Sequence, residues 1–208
     1  MLNHIEKDPT SPDQASTGEV VLAAIRNRRS VGKMTTQVPP RSLIERVLEA
    51  GTWAPNHHMT EPWRFFVLQG GARDHLGEVM GEVAAARESS GEARRAVAQR
   101  AATKPLRAPW VIAVAVEPAN DPSIPEIEEL AAGCAAAQNM LLAAEAVGLA
   151  AIWRSGWVTF EPEITAFFGL SSRATMLGFI YVGYPAMEPP ARSRKPLAEV
   201  TAWLGEGS

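Results

Sequence analysis

Three short segments of this chain carry the residue types best suited to hold a charged ligand: Arg28-Arg29-Ser30, Trp153-Arg154-Ser155 and Arg192-Ser193-Arg194. Each sets guanidinium groups beside a hydroxyl, and the first two lie more than a hundred positions apart. A guanidinium is a planar fork of donors that matches phosphate oxygens or the carbonyl–imide edge of a ring, and a nearby serine hydroxyl can fill remaining lone pairs. A phosphorylated cofactor is the ligand such segments suit. The pair His57-His58 raises a metal site as a second possibility. Adjacent residues point in different directions, however, and no third ligand stands at a suitable spacing, so no metal is expected. A loop histidine bonded to backbone is an equal reading for His58.

Other chemistries lack their motifs. The chain contains neither G-x-G-x-x-G after a strand nor G-x-x-x-x-G-K-[ST], so a Rossmann nicotinamide site and a P-loop are unsupported. It also lacks G-x-S-x-G or a paired-carboxylate arrangement that would argue for hydrolysis.

The elements that must position these residues can be read from periodicity. Ser16 and Glu19 have capping-box spacing, and Val20, Val21, Ala24 and Ile25 form one helical stripe. A first helix would therefore deliver Arg28, Arg29 and Ser30 at its C-terminal end. That end carries partial negative charge, so simple dipole compensation is an alternative reading of the arginines. Pro39-Pro40 opens a second helix with Leu43, Ile44, Val47 and Leu48 on one face, closing at Gly51 as a C′ residue. The loop from Thr52 to Pro62 leads into a buried strand from Trp63 to Gln69.

Residues 72–104 read as helical, with Leu76, Val79, Met80 and Val83 at three-and-four spacing and a break at Ser89-Ser90-Gly91. This segment is either a mobile cover over the site or a solvated helical hairpin. The continuous apolar run Trp110–Val116 predicts a central strand. Residues 125–147 form the longest helix, whose many small residues imply close contacts on several sides, as a dimer core would provide. Ala150–Trp153 and Met176–Gly183 are strands, with a short helix over Pro162–Phe168 between them. Strands and helices that alternate irregularly give an α+β class, one sheet wrapped by helices.

Composition excludes several roles. At 208 residues, 46% hydrophobic and 21% charged, the chain has the size and balance of one globular domain. Residues 1–16 read as a disordered leader with no apolar signal region, and 17–208 as the single domain. That reading gives the cytoplasm as the expected address. A net charge of −3 with dispersed arginines argues against nucleic acid as a partner. The apolar run Leu130–Ala144 is too short for a membrane span, so no membrane partner is expected. The single cysteine, Cys134, permits no internal disulfide and fits a helix core as a small apolar residue.

Taken together, IRNRRSVGKM, EAGTWAPNHHMTEPWRFFVL, AAIWRSGW, GFIYVGYP and RSRKPLAEV resemble, in order and spacing, the nitroreductase family of FMN-dependent oxidoreductases, and its small-nitroreductase branch above all. The resemblance spans residues 18 to 204. It implies a central mixed β-sheet wrapped by helices, a homodimer with FMN at the subunit interface, and a C-terminal extension from Pro185 to Trp203 that reaches the partner subunit. It also implies ping-pong chemistry, in which hydride from NADH or NADPH is passed to a small acceptor such as a nitroaromatic or quinone. Arg28, Ser30, Arg192 and Arg194 would bind the FMN phosphate and ribityl chain. Arg29 would face the N1–C2 edge of the ring as an electrostatic stabiliser, with no catalytic residue needed beyond the flavin. The two arginines could exchange these roles. His57, Trp53 and Trp153-Arg154-Ser155 would contact the flavin, while Trp63 belongs to the core. Glu61 stands where many relatives carry glutamine, which puts a ligand role there in doubt. The alternatives are a same-fold enzyme of dehalogenation or flavin breakdown, a non-enzymatic flavin-binding protein, or a flavin-free helical interaction protein.

Overall fold

The computed structural model describes residues 12–189 and 191–205, with side chains described from residue 18. Residues 1–11 of the expected leader lie outside the described residues. Helix α1 spans Pro12–Asn27, so 12–16 belong to it and Ser16 is an interior residue, not a cap. Proline suits this start because its missing N–H falls where a helix has no acceptor to offer it.

Four strands form one sheet in the order β1-β2-β4-β3: β1 is Trp63–Leu68, β2 Trp110–Val116, β3 Ala150–Arg154 and β4 Thr175–Gly183. All three ladders are antiparallel. The sheet is therefore antiparallel and not mixed as expected; among the described residues the one parallel pairing is an isolated bridge of Ser30 to Ala151 on the outer edge of β3, outside the named strands. The completely buried run of β2 is central because it is covered on both faces, so its apolar residues need not alternate with polar ones.

Alternate strand residues point to two helical layers. Val111, Ala113, Ala115, Phe179 and Tyr181 pack with Leu76, Met80, Val83 and Ala84 of α3 (Gly71–Ala86), Ala101 of α4 (Gly91–Ala102) and Ile164 of α6 (Pro162–Phe167). Ile112, Val114, Ile180 and Val182 pack with Ile44 and Val47 of α2 (Arg41–Thr52) and with Ala137, Met140, Leu141 and Ala144 of α5 (Glu126–Ala146).

Three further expectations need correction. Helix α3 is not a cover: its apolar stripe is core, and α4 packs back onto it so closely that a side chain on Gly81 would come within 3.1 Å of the Ala98 carbonyl. Only α4, with Ala101 as its one buried residue, has the surface of a solvated hairpin arm, and Ser90 caps it by accepting from the Ala93 N–H at 3.3 Å. Gly51 is no C′ residue. It lies inside α2, where a Cβ would stand 2.9 Å from Met140 Cγ, and so lets α2 lie close against α5. Cys134 is exposed. The α1 stripe, whose cover the sequence does not name, faces outward, with Val20 68% and Ile25 52% exposed.

Candidate functional site

The first arginine segment is set by the end of α1 and by the open edge of β3. After Asn27 the chain turns, Ser30 bridges to Ala151, and the Val31 N–H donates to the Ala151 carbonyl at 3.1 Å. An edge strand offers unpaired backbone groups, and here residues 30–31 take them up. Arg28 and Arg29 are both half-buried, but their side chains differ in use. Arg29 Nη1 donates to the carbonyls of Arg26 at 2.6 Å and Arg28 at 3.0 Å, compensating the end of the helix as the bland reading of the sequence required. Arg28 donates to no protein acceptor among the described residues.

The second segment joins the first. Arg154, the last residue of β3, lays its guanidinium over Gly32, where Nη2 would stand only 2.8 Å from a Cβ. The absence of a side chain at position 32 therefore makes room for the cation. Two segments far apart in sequence thus meet at one edge, where Ser30 pairs with β3 and Arg154 reaches the turn that follows Arg28 and Arg29. Trp153 points to the opposite face and donates from Nε1 to the Leu177 carbonyl at 3.1 Å.

Gly178 permits that contact. It has φ of 141° at the β4 bulge, where the register shifts between Val114 and Ala115, and a Cβ there would stand 2.5 Å from Trp153 Nε1 and 2.6 Å from the Arg154 carbonyl. Gly178→Ala is expected to lower stability by about 1–3 kcal/mol through backbone strain and overpacking. A thermal midpoint equal to that of the parent would contradict this account. The turn beyond, Trp157–Phe160, is tied to the end of α3, where Arg87 lies 4.4 Å from the centre of the Trp157 ring and pairs with Glu161.

Trp53 and His57 stand elsewhere, in the α2–α5 layer. Trp53 is 79% exposed and lines an open apolar groove with Val20, Val21 and Ile25 of α1 and Leu142 of α5. His57 Nδ1 lies 3.1 Å from Glu128 Oε2. The loop carrying them is held by the Asn56 side chain, whose Oδ1 accepts from the Glu61 N–H at 3.0 Å. His58, Met59 and Glu61 all have positive φ, of 50°, 55° and 46°. Such conformations are strained for residues with side chains and tend to gather at functional loops. Glu61 is exposed, and its carbonyl accepts from Arg64 at 3.2 Å. Trp63 is buried, as expected.

Arg192 and Arg194 lie in an exposed C-terminal segment, where Arg194 bonds only to the Ser193 carbonyl among the described residues. A single chain thus unites two of the three arginine segments and leaves Trp53, His57, Arg192 and Arg194 apart from them. No group of three or more histidine, cysteine, aspartate or glutamate side chains among the described residues could hold a metal.

Sequence reasoning passed over Lys104, Arg107 and Tyr181, which line a cleft with Arg154 and Ser155. Two signals pointed to them: cations in Lys-Pro-Leu-Arg directly before the central strand, and a tyrosine at an inward position of β4, where a phenol needs a polar neighbour.

The residues at the β3 edge fit FMN. They offer a free half-buried guanidinium, a serine hydroxyl and a second guanidinium over a glycine, a donor set matched to a phosphate and a ring edge. Comparison with known proteins points the same way. The model of the family described as the nitroreductase family matches residues 25–184. Putative NAD(P)H nitroreductase YdjA of Escherichia coli (strain K12) is 34% identical over 168 residues, covering 80% of this chain and 89% of the relative. A nitroreductase-like family protein from Bacillus cereus superimposes with a TM-score of 0.78 at 27% identity, covering 89% of this chain and 96% of that one. A putative nitroreductase from Desulfovibrio desulfuricans, solved in complex with FMN, gives a TM-score of 0.64 at 30% identity and covers 90% and 97%.

Proposed function

The chain belongs to the nitroreductase family, and we propose that it is an FMN-dependent oxidoreductase that takes hydride from NADH or NADPH and reduces a small acceptor, such as a nitroaromatic or quinone, in a ping-pong cycle. The observation that carries this reading is that the chain directly after Arg28 and Arg29 pairs through Ser30 with the β3 edge, where Arg154 lies over Gly32. Bound FMN would supply the redox chemistry, accepting hydride at N5 and giving two electrons to the acceptor. The protein binds and orients. Arg28 and Ser30 would hold the phosphate and ribityl chain, and Arg29, with Nη1 engaged at the helix end, would keep Nε and Nη2 for the N1–C2 edge. A fixed cation there stabilises negative charge that develops around N1 and O2. Arg154 and Ser155 would offer further contacts to the ring.

We assign the missing parts of the site to a second copy. Trp53 and His57 lie on the α2–α5 layer, and the groove beside Trp53 is apolar and open. The C-terminal segment exposes Leu197, Val200, Trp203 and Leu204. Contiguous apolar surface of this kind marks an interaction site, and a two-fold dimer would cover both patches with the same operation. In that arrangement Trp53 and His57 of one copy, and Arg192 and Arg194 of the tail, would complete the flavin site. We also assign the reaction to the cytoplasm, where NADH and NADPH are supplied. Among the described residues no helix is long and apolar enough to cross a membrane.

The test is the visible absorption spectrum of the purified protein, before and after anaerobic NADPH and then NADH. Flavin bands that bleach with either donor are the expected result. A colourless protein that fails to take up added FMN would overturn the reading.

A further inference from the structure

On the α3 face, the turn Lys104–Arg107 that follows α4 and packs against α3 shares with the end of β3 the lining of a cleft of ≈ 250 Å³. Its lining includes Lys104, Arg107, Arg154, Ser155, Thr159 and Tyr181. No aspartate or glutamate lines it. Among the described residues none of the three cations forms an ion pair, whereas Arg26, Arg41, Arg87 and Arg173 each meet a carboxylate. Like charges gathered without a counter-ion repel one another and raise the potential of the space between them, which favours an anion there.

The phenol of Tyr181 supports the same conclusion. Its side chain is buried, and burial pushes its pKa up while the positive charges of Arg107 and Arg154 oppose that rise. Both guanidiniums therefore act on one point in the cleft. The neutral phenol retains its O–H at physiological pH and adds an uncharged donor to the three cations. Arg107 and Arg154 are exposed and Lys104 is half-buried, so a ligand can reach them. At ~30 Å³ per water the cleft has room for about eight waters. That accommodates a carboxylate or phosphate on a small ring.

We propose that Lys104 and Arg107 bind the anionic oxygens, carboxylate or phosphate, of a reactant that visits the flavin, and so select an acidic acceptor or a phosphorylated nicotinamide donor. The assignment rests on FMN lying against Arg154 and Ser155, as in the functional reading above. Two sources can present these oxygens: a carboxylate on the acceptor, or the 2′-phosphate that distinguishes NADPH from NADH.

The experiment compares the FMN-loaded parent with the Lys104→Gln/Arg107→Gln double variant, using 4-nitrobenzoate against nitrobenzene and NADPH against NADH. Loss of one or two charge-assisted bonds should lower one of these kcat/KM ratios by about tenfold to a hundredfold. A fall in the acceptor ratio identifies the carboxylate, and a fall in the donor ratio identifies the 2′-phosphate. Both ratios unchanged in a variant that retains FMN overturn the proposal. Loss of FMN by the variant also overturns it, because the cleft would then belong to the flavin. If the parent binds no FMN, the functional reading fails separately, and calorimetric titration with inorganic phosphate decides the cleft. Binding to the parent that the variant loses keeps the anion site, and no binding to the parent ends it.

Discussion

Replacing Arg28 by alanine should raise the dissociation constant of FMN by about tenfold to more than a hundredfold, the loss of some 1.5–3 kcal/mol carried by a charge-assisted guanidinium–phosphate contact. Position 28 is chosen over 29 because of what the two side chains already do. Arg29 is engaged with the Arg26 and Arg28 carbonyls, so its removal would loosen the end of α1 as well as any ligand contact. Arg28 is half-buried, and among the described residues donates to no protein acceptor, so its truncation should leave the fold undisturbed. Arg28→Lys separates charge from shape: it keeps the cation and loses the fork, and should recover only part of the affinity. Fluorimetric titration of the apoprotein with FMN reads both variants. An unchanged dissociation constant for Arg28→Ala, with an unchanged melting temperature, would remove this residue from the site.

What could be read from the sequence follows from which interactions are local. The apolar run Trp110–Val116 announced a strand covered on both faces, and the long alanine-rich segment announced α5, because burial and periodicity leave their marks within a few residues. Periodicity also found the stripe Val20, Val21, Ala24 and Ile25, but an apolar face does not say whether its cover is the chain's own core or another molecule, and here it faces outward. The same limit misled at α3, whose stripe proved to be core, and at Gly51, where glycine serves a close helix approach and not a helix end. In the site, the residue types of Arg28, Arg29, Ser30 and Arg154 were legible. Their meeting was not, because it depends on Ser30 pairing with Ala151 across more than a hundred residues and on Gly32 leaving room for a guanidinium. Lys104, Arg107 and Tyr181 went unseen for a related reason: each is unremarkable alone, and only the tertiary fold brings a turn packed on α3 and a residue of β4 to one cleft.

Truncation after Ala191, removing residues 192–208, should convert the protein to a monomer and abolish measurable FMN binding. The removed segment carries Leu197, 70% exposed, Trp203, 73%, and Leu204, 93%, all left largely uncovered by the single chain. Fully burying a large apolar side chain is worth about 1.5–3 kcal/mol, so a tail that seats even two of them on a partner contributes several kcal/mol to association. Against its own chain it contributes little, since the last pairing before the segment is the bridge of Met34 to Pro185, supported by the Ala186 N–H donating to the Lys33 carbonyl at 3.0 Å. Melting of the truncated subunit should therefore stay cooperative. The flavin is lost twice over: Arg192 and Arg194 go with the tail, and Trp53 and His57 of the neighbouring copy go with the dimer. Analytical ultracentrifugation, with flavin absorbance followed alongside protein, distinguishes the parts of this account. A truncated dimer that keeps a full complement of FMN would show the tail to be irrelevant to both. Dilution of the full-length protein isolates the interface itself, because flavin should leave as the dimer dissociates, and a verified monomer that retains FMN would place the whole site within one chain.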